Sequence, residues 1–455
     1  MEKISGDFYD WKKTLKPERE YIHDYTKTFT YKLLLADRNR ENNGSVVYHT
    51  FEETLKIIEE VDKMTFGMPK IVYLVGWQFF GHDSKYPAWN GVNETLKREC
   101  DNTAHESLLW LMEEGFKYNT TVSLHINIQD AYKDSPLWDE YVKNDLIALN
   151  KDGTLLKGDV WNNEQCYIIS YKEEWDKGFI QKRINELCEF LPIERTGTIH
   201  IDAMHAKPDP GHGWKLEDIQ NARNQIVRYW RDKGVDVTTE FLYYEASDWR
   251  YRHEQLIGLV PLFYHFSQNL DEYIDRPGEL IMGVNVSNAF KEGLSNKMDR
   301  LFGASFNAEE ILNGENYKER FFEEFCKNEV RYRYLLSLRR EEAIVRKGDI
   351  CAIFSDGVVT DMNGNIEKNG IKLQNENYIF LPAVFMKNES YFLYVLKSGE
   401  YEIDMYRAFG INDATFKAEN ISKCAEKKEE FSLKVKDGIL KVSAKEKEAF
   451  LLMEE

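Results

Sequence analysis

Short β-rich runs alternate with amphipathic helical segments from about residue 31 to about residue 286, and this alternation constrains the fold most strongly. The predicted strands are 31–36, 70–76, 121–127, 198–203, 235–241, 259–266 and 279–286. The predicted helices are 51–64, 104–118, 173–191 and 216–233. Such alternation indicates parallel βαβ units, and for a chain of 455 residues it predicts a (β/α)8 barrel of the TIM type.

An open, doubly wound sheet is the alternative architecture for the same alternation. It is disfavoured because no Gly-x-Gly-x-x-Gly motif follows the first predicted strand. Polar residues also follow many of the strands, whereas a doubly wound sheet concentrates them at one switch point.

The pattern changes near residue 346, where short β-rich runs are separated by Asn-Gly, Ser-Gly and Asp-Gly turn signals. We therefore expect an antiparallel β-sandwich domain over residues 346–455. The barrel is expected to occupy residues 31–345, and residues 1–30 are expected to form a lead-in that packs on it.

The charge balance excludes several classes of partner. With 60 basic and 78 acidic residues the net charge is -18, which repels phosphate backbones and anionic lipids, so no nucleic acid or membrane is expected. The chain start carries no leader pattern and the apolar run 256–266 is too short to cross a bilayer, so we expect a cytoplasmic protein. The six cysteines form no Cys-x-x-Cys pair, which argues against structural zinc.

Polar side chains lie at the ends of four consecutive predicted strands or just beyond them: His82 and Asp83, His125 and Asn127, Asp202, and Glu240. In a parallel barrel these strand ends share one mouth, where chemistry is done. Two carboxylates about 5–5.5 Å apart suit a retaining glycosidase, in which one stays ionised and the other holds a proton. Asp202 and Glu240 are therefore the candidate catalytic pair.

A resemblance to a known family rests on four blocks: Gly81-His82-Asp83-Ser84, His125-Ile126-Asn127, Ile201-Asp202-Ala203 and Glu240-Phe241. They resemble the catalytic barrel of endo-α-N-acetylgalactosaminidases, glycoside hydrolase family 101, and of the related family 129. The resemblance covers about residues 70–255 and implies that Asp202 is the nucleophile and Glu240 the general acid/base. It implies substrate contacts for His82, Asp83, His125, Asn127, Trp161, Asp248 and His253.

Three departures from the family pattern bear on the choice of sugar. Val75 replaces a lysine, Met204 replaces an aromatic residue, and Leu242-Tyr243-Tyr244 stands in place of a glycine-rich loop. No cofactor is expected. The resemblance allows for a calcium ion, but no run of oxygen ligands in the sequence demands one.

The sequence predicts a retaining α-glycosidase that acts through a covalent glycosyl-Asp intermediate on a carbohydrate or glycoconjugate. Its substrate is expected to be an α-linked galactose-type sugar, with α-N-acetylgalactosaminide as one candidate. The alternatives are α-galactosidase or α-glucosidase specificity, or a catalytically silent carbohydrate-binding barrel. A metal-dependent hydrolase would use His82, Asp83, His125 and His205. That hypothesis is disfavoured because metal-dependent barrels generally carry a His-x-His pair on one strand. Here Asn127 stands where the second histidine, two residues after His125, would be.

Overall fold

The computed structural model describes residues 2–5, 17–202, 204–240, 257–262, 270, 273–282, 296–422 and 429–455. These residues form a mixed α/β structure with a six-stranded parallel sheet, a thirteen-stranded antiparallel sheet and two smaller sheets. None of the helices they form is long and apolar enough to cross a membrane.

The elements have the following bounds. The strands up to residue 261 are β1 Glu2–Ser5, β2 Phe29–Leu34, β3 Ala36–Asn39, β4 Gly44–Val47, β5 Lys70–Val75, β6 Thr120–Ile126, β7 Asp130–Ala131, β8 Lys157–Trp161, β9 Glu164–Ile168, β10 Thr198–Ile201, β11 Asp236–Thr239 and β12 Val260–Pro261. The later strands are β13 Arg340–Arg346, β14 Asp349–Phe354, β15 Val358–Asp361, β16 Ile366–Lys368, β17 Ile371–Gln374, β18 Tyr378–Pro382, β19 Ser390–Val395, β20 Gly399–Asp404, β21 Ala414–Asn420, β22 Glu429–Lys436, β23 Ile439–Ala444 and β24 Ala449–Glu454.

The α-helices are α1 Phe51–Met64, α2 Ala104–Glu114, α3 Trp138–Lys143, α4 Tyr171–Asp176, α5 Phe179–Phe190, α6 Ile193–Thr196, α7 Leu216–Asp232, α8 Asn296–Phe302, α9 Ala308–Leu312, α10 Tyr317–Glu324, α11 Val330–Leu336 and α12 Met405–Phe409. The described residues also form 3-10 turns at Glu94–Leu96, Gly115–Tyr118, Gly278–Leu280 and Ser355–Gly357, and a π turn at Phe325–Glu329.

The parallel sheet has the order β2-β5-β6-β10-β11-β12, so neighbours in space are successive parallel strands in the chain. Helices lie between successive strands: α1 before β5, α2 before β6, α4 to α6 before β10, and α7 before β11. The predicted parallel βα alternation is therefore confirmed over these strands.

Two of the strand predictions meet a different outcome. Of 259–266, only Val260–Pro261 is a described strand, and residues 263–266 lie outside the described residues. The prediction of a strand at 279–286 is wrong in its described first part, where Gly278–Leu280 form a 3-10 turn. Pro277 and Gly278 favour a turn at this point, which interrupts the apolar run.

Capping explains where the first two helices of the parallel-sheet region begin. The Oγ1 of Thr50 accepts a hydrogen bond from the backbone N–H of Glu53, whose carboxylate accepts in turn from the N–H of Thr50. Thr103 and Glu106 form the same capping box on α2. Each box satisfies backbone donors at the helix start and is worth about 1 kcal/mol.

One face of the parallel sheet turns inward. The Tyr73 hydroxyl on β5 lies 2.6 Å from the Oγ1 of Thr198 on β10, although β6 separates these strands. The hydroxyl of Tyr25, which precedes β2, lies 2.9 Å from the same oxygen. The backbone N–H of His23 donates to the Asp236 carboxylate at the start of β11, at 3.0 Å. One contact joins two non-neighbouring strands, and two connect the segment before β2 to β10 and β11. Together they indicate a strongly curved sheet.

The antiparallel sheet has the order β1-β13-β14-β15-β16-β17-β18-β19-β24-β21-β22-β23-β20, which defines a large β domain. Its strands from β13 on are joined by turns at positions such as Gly348, Gly364 and Gly438, each with a positive φ. The strand at the chain start, β1, pairs with β13, while residues 21–25 contact the parallel sheet.

Candidate active site

Asp202 and Glu240 follow two neighbouring strands at the same level. Ile201 on β10 pairs with Thr239 on β11, and each carboxylate residue is the next residue along its strand. Side chains two apart share a face of a strand, so Asp202 lies above His200 on the inward face of the sheet. An oxygen of Asp202 and an oxygen of Glu240 lie within 4.8 Å of one another, and a ring nitrogen of His125 lies within the same distance of both.

His125 lies on β6 beside Asp202, because His125 pairs with His200 in the parallel ladder. Its Nε2 is 3.8 Å from the Oδ1 of Asp202, and the residue is only 2% exposed. Burial, followed by the positive charges of Lys32 and His82, holds the pKa of His125 well below its usual range. The imidazole is therefore neutral near pH 7.

Asn127 links two carboxylates at the end of β6. Its Nδ2 donates to the Oδ2 of Asp130 at 2.9 Å and lies 3.5 Å from the Oδ2 of Asp202. Its Oδ1 accepts from the backbone N–H groups of Gln129 and Asp130, at 2.7 and 2.9 Å. Because the oxygen is used by backbone donors, the NH₂ group has to face the carboxylates.

Asp130 is a buried carboxylate near the pair formed by Asp202 and Glu240. Burial, reinforced by the negative charges of Asp202 and Asp83, raises the pKa of Asp130 to about 7. The thiol of Cys166 contacts its Oδ1 at 3.4 Å. Near neutral pH Asp130 therefore exchanges between its protonated and ionised forms, and the balance depends on the charges of Asp202 and Asp83.

The loop that carries His82 and Asp83 depends on two glycines. Gly76 has φ +75°, and a Cβ there would lie 2.0 Å from the backbone oxygen of Ala36. Gly81 has φ +116°, and its Cβ would lie 2.7 Å from the same oxygen. Only glycine allows this approach, and it lets the N–H of His82 donate to Ala36 at 2.8 Å. The glycines thereby bring the loop over the carboxyl end of β5.

His82 and Asp83 lie beside the candidate pair of Asp202 and Glu240. The Nε2 of His82 is 3.5 Å from the Oδ2 of Asp83, and its ring centroid is 5.4 Å from that of His125. Burial acts to lower the pKa of His82, but the carboxylates of Asp83 and Asp202 outweigh it and the pKa rises. Burial raises the pKa of Asp83, against the opposing effect of His82.

Trp161 ends β8 at the tip of the β8–β9 hairpin, and it is 46% exposed. The next residue, Asn162, places its Nδ2 3.5 Å from the backbone oxygen of His82. The hairpin tip therefore borders the His82 loop and leaves an indole face open to solvent.

Lys32 is a site residue that sequence reasoning missed. It lies on β2, and its Nζ donates to the Oε1 of Glu240 at 3.1 Å and lies 3.7 Å from the Oε2 of Glu309 on α9. Burial raises the pKa of Glu240; the charge of Lys32 opposes this shift, and that of Asp202 adds to it. A lysine within an otherwise buried strand was the available signal.

In the described residues, one group of three side chains has potential metal-ligating atoms that all lie within 4.8 Å of one another. It consists of His125, Asp202 and Glu240. His82, Asp83 and His205 do not join a group of this kind there. We do not assign the three as metal ligands, because the ammonium of Lys32 already supplies positive charge to Glu240.

The remaining sequence-predicted positions divide into two sets. Asp248 and His253 lie outside the described residues, as does the 242–244 segment. Val75 and Met204 are both buried, at the carboxyl end of β5 and just beyond Asp202.

The parallel sheet carries two neighbouring carboxylates at its carboxyl edge and is followed in the chain by a large antiparallel β domain. With the family match that follows, the chain is a glycoside hydrolase. A family model described as endo-alpha-N-acetylgalactosaminidase matches residues 18–255, more than half of the chain. The chain belongs to this family, and the resemblance drawn from its sequence blocks is confirmed.

Solved structures of a bacterial enzyme share the fold. The ligand-free α-N-acetylgalactosaminidase NagBb from Bifidobacterium bifidum aligns with a TM-score of 0.52 at 12% identity, over 75% of this chain and 57% of that one. Its complex with GalNAc aligns with a TM-score of 0.52 at 13% identity, with the same coverage. At such identities the likeness concerns the fold alone, and this chain spans little more than half of that protein's length.

Proposed function

We propose that this protein is a retaining α-glycosidase that releases an α-linked galactose-type sugar, with α-N-acetylgalactosamine as the first candidate. The observation that carries the proposal is the pair of Asp202 and Glu240, whose nearest oxygens lie within 4.8 Å. Retaining enzymes hold their carboxyl groups about 5–5.5 Å apart, while inverting enzymes need about 6.5–9.5 Å to admit a water.

In the first step, a carboxylate oxygen of Asp202 attacks the anomeric carbon and forms a glycosyl-Asp ester. The glycosidic C–O bond breaks, and Glu240 gives its proton to the leaving oxygen. The raised pKa of Glu240, caused chiefly by burial, favours the protonated acid that this step needs.

In the second step, the Glu240 carboxylate takes a proton from water as the water oxygen attacks the anomeric carbon. The ester bond to Asp202 breaks, its electron pair returns to the carboxylate, and Glu240 is protonated again. Two inversions give net retention at the anomeric carbon. Asn127, whose Nδ2 is 3.5 Å from Asp202, orients the nucleophile.

The sugar is proposed to lie between the His82 loop and the catalytic pair. Asp83 and His82 accept and donate hydrogen bonds to its hydroxyls, His125 lines the floor, and Trp161 stacks on an apolar sugar face. The proximity of these residues around Asp202 supports this assignment. Asp248 and His253 are proposed substrate contacts from family position alone.

A galactose-type substrate is supported by family membership and by the relative that was solved with GalNAc. The natural partner would be a carbohydrate or glycoconjugate. Val75 and Met204, which replace family residues, are the positions where this chain would differ in sugar choice.

The parallel sheet is proposed to close as a (β/α)8 barrel over residues 31–345, with a lead-in at residues 1–30 and a β-sandwich at 346–455. The ion pair of Lys32 with Glu240 supports closure, since β2 and β11 are four strand spacings apart. In a flat sheet this separation would be about 19 Å, at about 4.8 Å per spacing.

The test is a panel of nitrophenyl glycosides, beginning with the α-N-acetylgalactosaminide and the α-galactoside, with the first-formed anomer followed by NMR. We expect the α-anomer of a galactose-type sugar to appear first. Asp202→Gly should lose turnover, and azide should restore it with a glycosyl azide of opposite configuration. A β-anomer as first product, or wild-type turnover by Asp202→Gly, contradicts the proposal.

A further inference from the structure

We propose that Lys32 is a positioning residue of this active site, whose ammonium group holds the Glu240 carboxylate and is shared with Glu309. The inference rests on the proposed role of Glu240 as the general acid/base. It adds to the site a strand, β2, and a helix, α9, that the four sequence blocks do not include.

Lys32 is a charged side chain in a buried strand, a position that destabilises the fold unless charged partners compensate. The first five residues of β2, from Phe29 to Leu33, are buried, and the Lys32 side chain is only 11% exposed. A buried ammonium loses much of its hydration, and charged partners must offset this loss. Glu240 supplies such a partner at 3.1 Å.

Glu309 is a second carboxylate that interacts with the Lys32 ammonium and competes with Glu240 for it. It lies in the first turn of α9, which packs against β2, and its Oε2 is 3.7 Å from the Nζ of Lys32. Two carboxylates therefore face one ammonium. The strength of the Lys32–Glu240 interaction therefore depends on how strongly Lys32 also interacts with Glu309.

Among the described residues, three charged side chains act on the ionisation of Glu240, and one neutral ring lies beside it. Lys32 on β2 favours its ionised form, while Asp202 after β10 and Glu309 on α9 favour its protonated form. His125 on β6 lies within 4.8 Å and is neutral near pH 7. A group that gives a proton in one step and takes one in the next needs this balance, since too strong a base would not release the proton.

The ion pair also fixes geometry. Glu240 comes directly after β11, so backbone pairing does not hold its carboxylate as the β10–β11 ladder holds the strands themselves. An anchor from β2 orients that carboxylate toward Asp202 and the bond to be broken. A displacement of about 1 Å can cost about 100-fold in rate.

The experiment compares two variants with opposite expected effects on the pH profile of kcat/KM. Lys32→Met removes the ammonium, so the basic limb, where Glu240 must be protonated, should move to higher pH and kcat should fall by about 10- to 100-fold. Glu309→Gln removes the competing carboxylate, so the same limb should move to lower pH. Lys32→Arg should keep the limb near its wild-type position.

Lys56→Met serves as the matched control, because Lys56 is an exposed lysine on α1 whose ion pair lies outside the site. Its profile should equal that of the wild type. The inference is wrong if the basic limb of the kcat/KM profile is unchanged in both Lys32→Met and Glu309→Gln. It is also wrong if that limb moves in the same direction in both variants. If Lys32→Met does not fold, Lys32→Gln takes its place, with the same expected shift of the basic limb to higher pH.

Glu240→Gln separates the two proposals. If this variant loses the basic limb while Lys32→Met and Glu309→Gln leave it in place, only the role of Lys32 falls. If Glu240→Gln keeps the wild-type limb, the assignment of Glu240 as the acid/base falls, and the inference that rests on it falls too.

Discussion

The carboxylate of Asp202 stands within 4.8 Å of the carboxylate of Glu240, and the pairing of β10 with β11 sets both at one level of the sheet. Two negative charges at this distance in a buried site repel one another, so the state with one proton is favoured. Burial raises the pKa of Glu240, which favours the proton on that residue. We therefore assign the proton donor to Glu240 and the attacking carboxylate to Asp202.

Asp202→Asn should lower kcat by about 10³-fold or more, equivalent to about 4 kcal/mol of barrier. The amide cannot attack the anomeric carbon, while its size keeps the fold. The measurement is kcat on a nitrophenyl glycoside together with the thermal unfolding midpoint. Asp152→Asn, in an exposed turn, is the control and should keep wild-type kcat. Retained activity in Asp202→Asn would rule out this residue as the nucleophile.

Glu240→Gln should show a strong dependence on the leaving group. For a substrate with a poor leaving group, kcat/KM should fall by about 10²- to 10⁴-fold, because proton donation is lost. For a dinitrophenyl glycoside, which needs no protonation on departure, the first step should stay close to the wild type. A Brønsted plot over a series of aryl glycosides checks this. A slope equal to that of the wild type would contradict the assignment.

The local part of this architecture could be predicted from the sequence. The first five strands of the parallel sheet, their order and the polar residues at their ends follow from patterns of a few residues, and so does the shared level of Asp202 and Glu240. The predicted strand at 279–286 does not, because Pro277 and Gly278 start a turn there. Two observations could not be predicted in this way. The contact of Lys32 with Glu240 depends on curvature accumulated over five strands, and β1 pairs with β13 across more than 300 residues. Pattern reasoning has no access to such distant contacts.

Trp161→Ala should raise KM by about 3- to 10-fold with little effect on stability. An exposed indole contributes about 0.5–1.5 kcal/mol when it stacks, and its loss opens no cavity in the core. Tyr406→Ala is the matched control, because Tyr406 is an exposed aromatic residue, on α12 of the β domain. Steady-state kinetics and chemical denaturation of both variants test this. An equal KM for Trp161→Ala and the wild type would remove Trp161 from the substrate site.

Asp130→Asn should flatten the dependence of stability on pH. In the folded protein the pKa of Asp130 is raised to about 7, against an ordinary value of about 3.9. Between these values the folded state binds more protons than the unfolded state, so this group lowers the free energy of unfolding as pH rises, by about 3–4 kcal/mol at most. An amide at this position does not titrate, and its oxygen can still accept from Asn127.

Chemical denaturation of the wild type and Asp130→Asn at intervals from pH 4.5 to pH 8 measures the difference in pH dependence. We expect the stability advantage of Asp130→Asn to grow with rising pH, with most of the growth below about pH 7 and a plateau above it. Asp152→Asn, whose carboxylate is exposed in a turn, should follow the wild-type curve over this range. A difference between Asp130→Asn and the wild type that stays constant with pH would show that Asp130 does not carry the proton assigned to it.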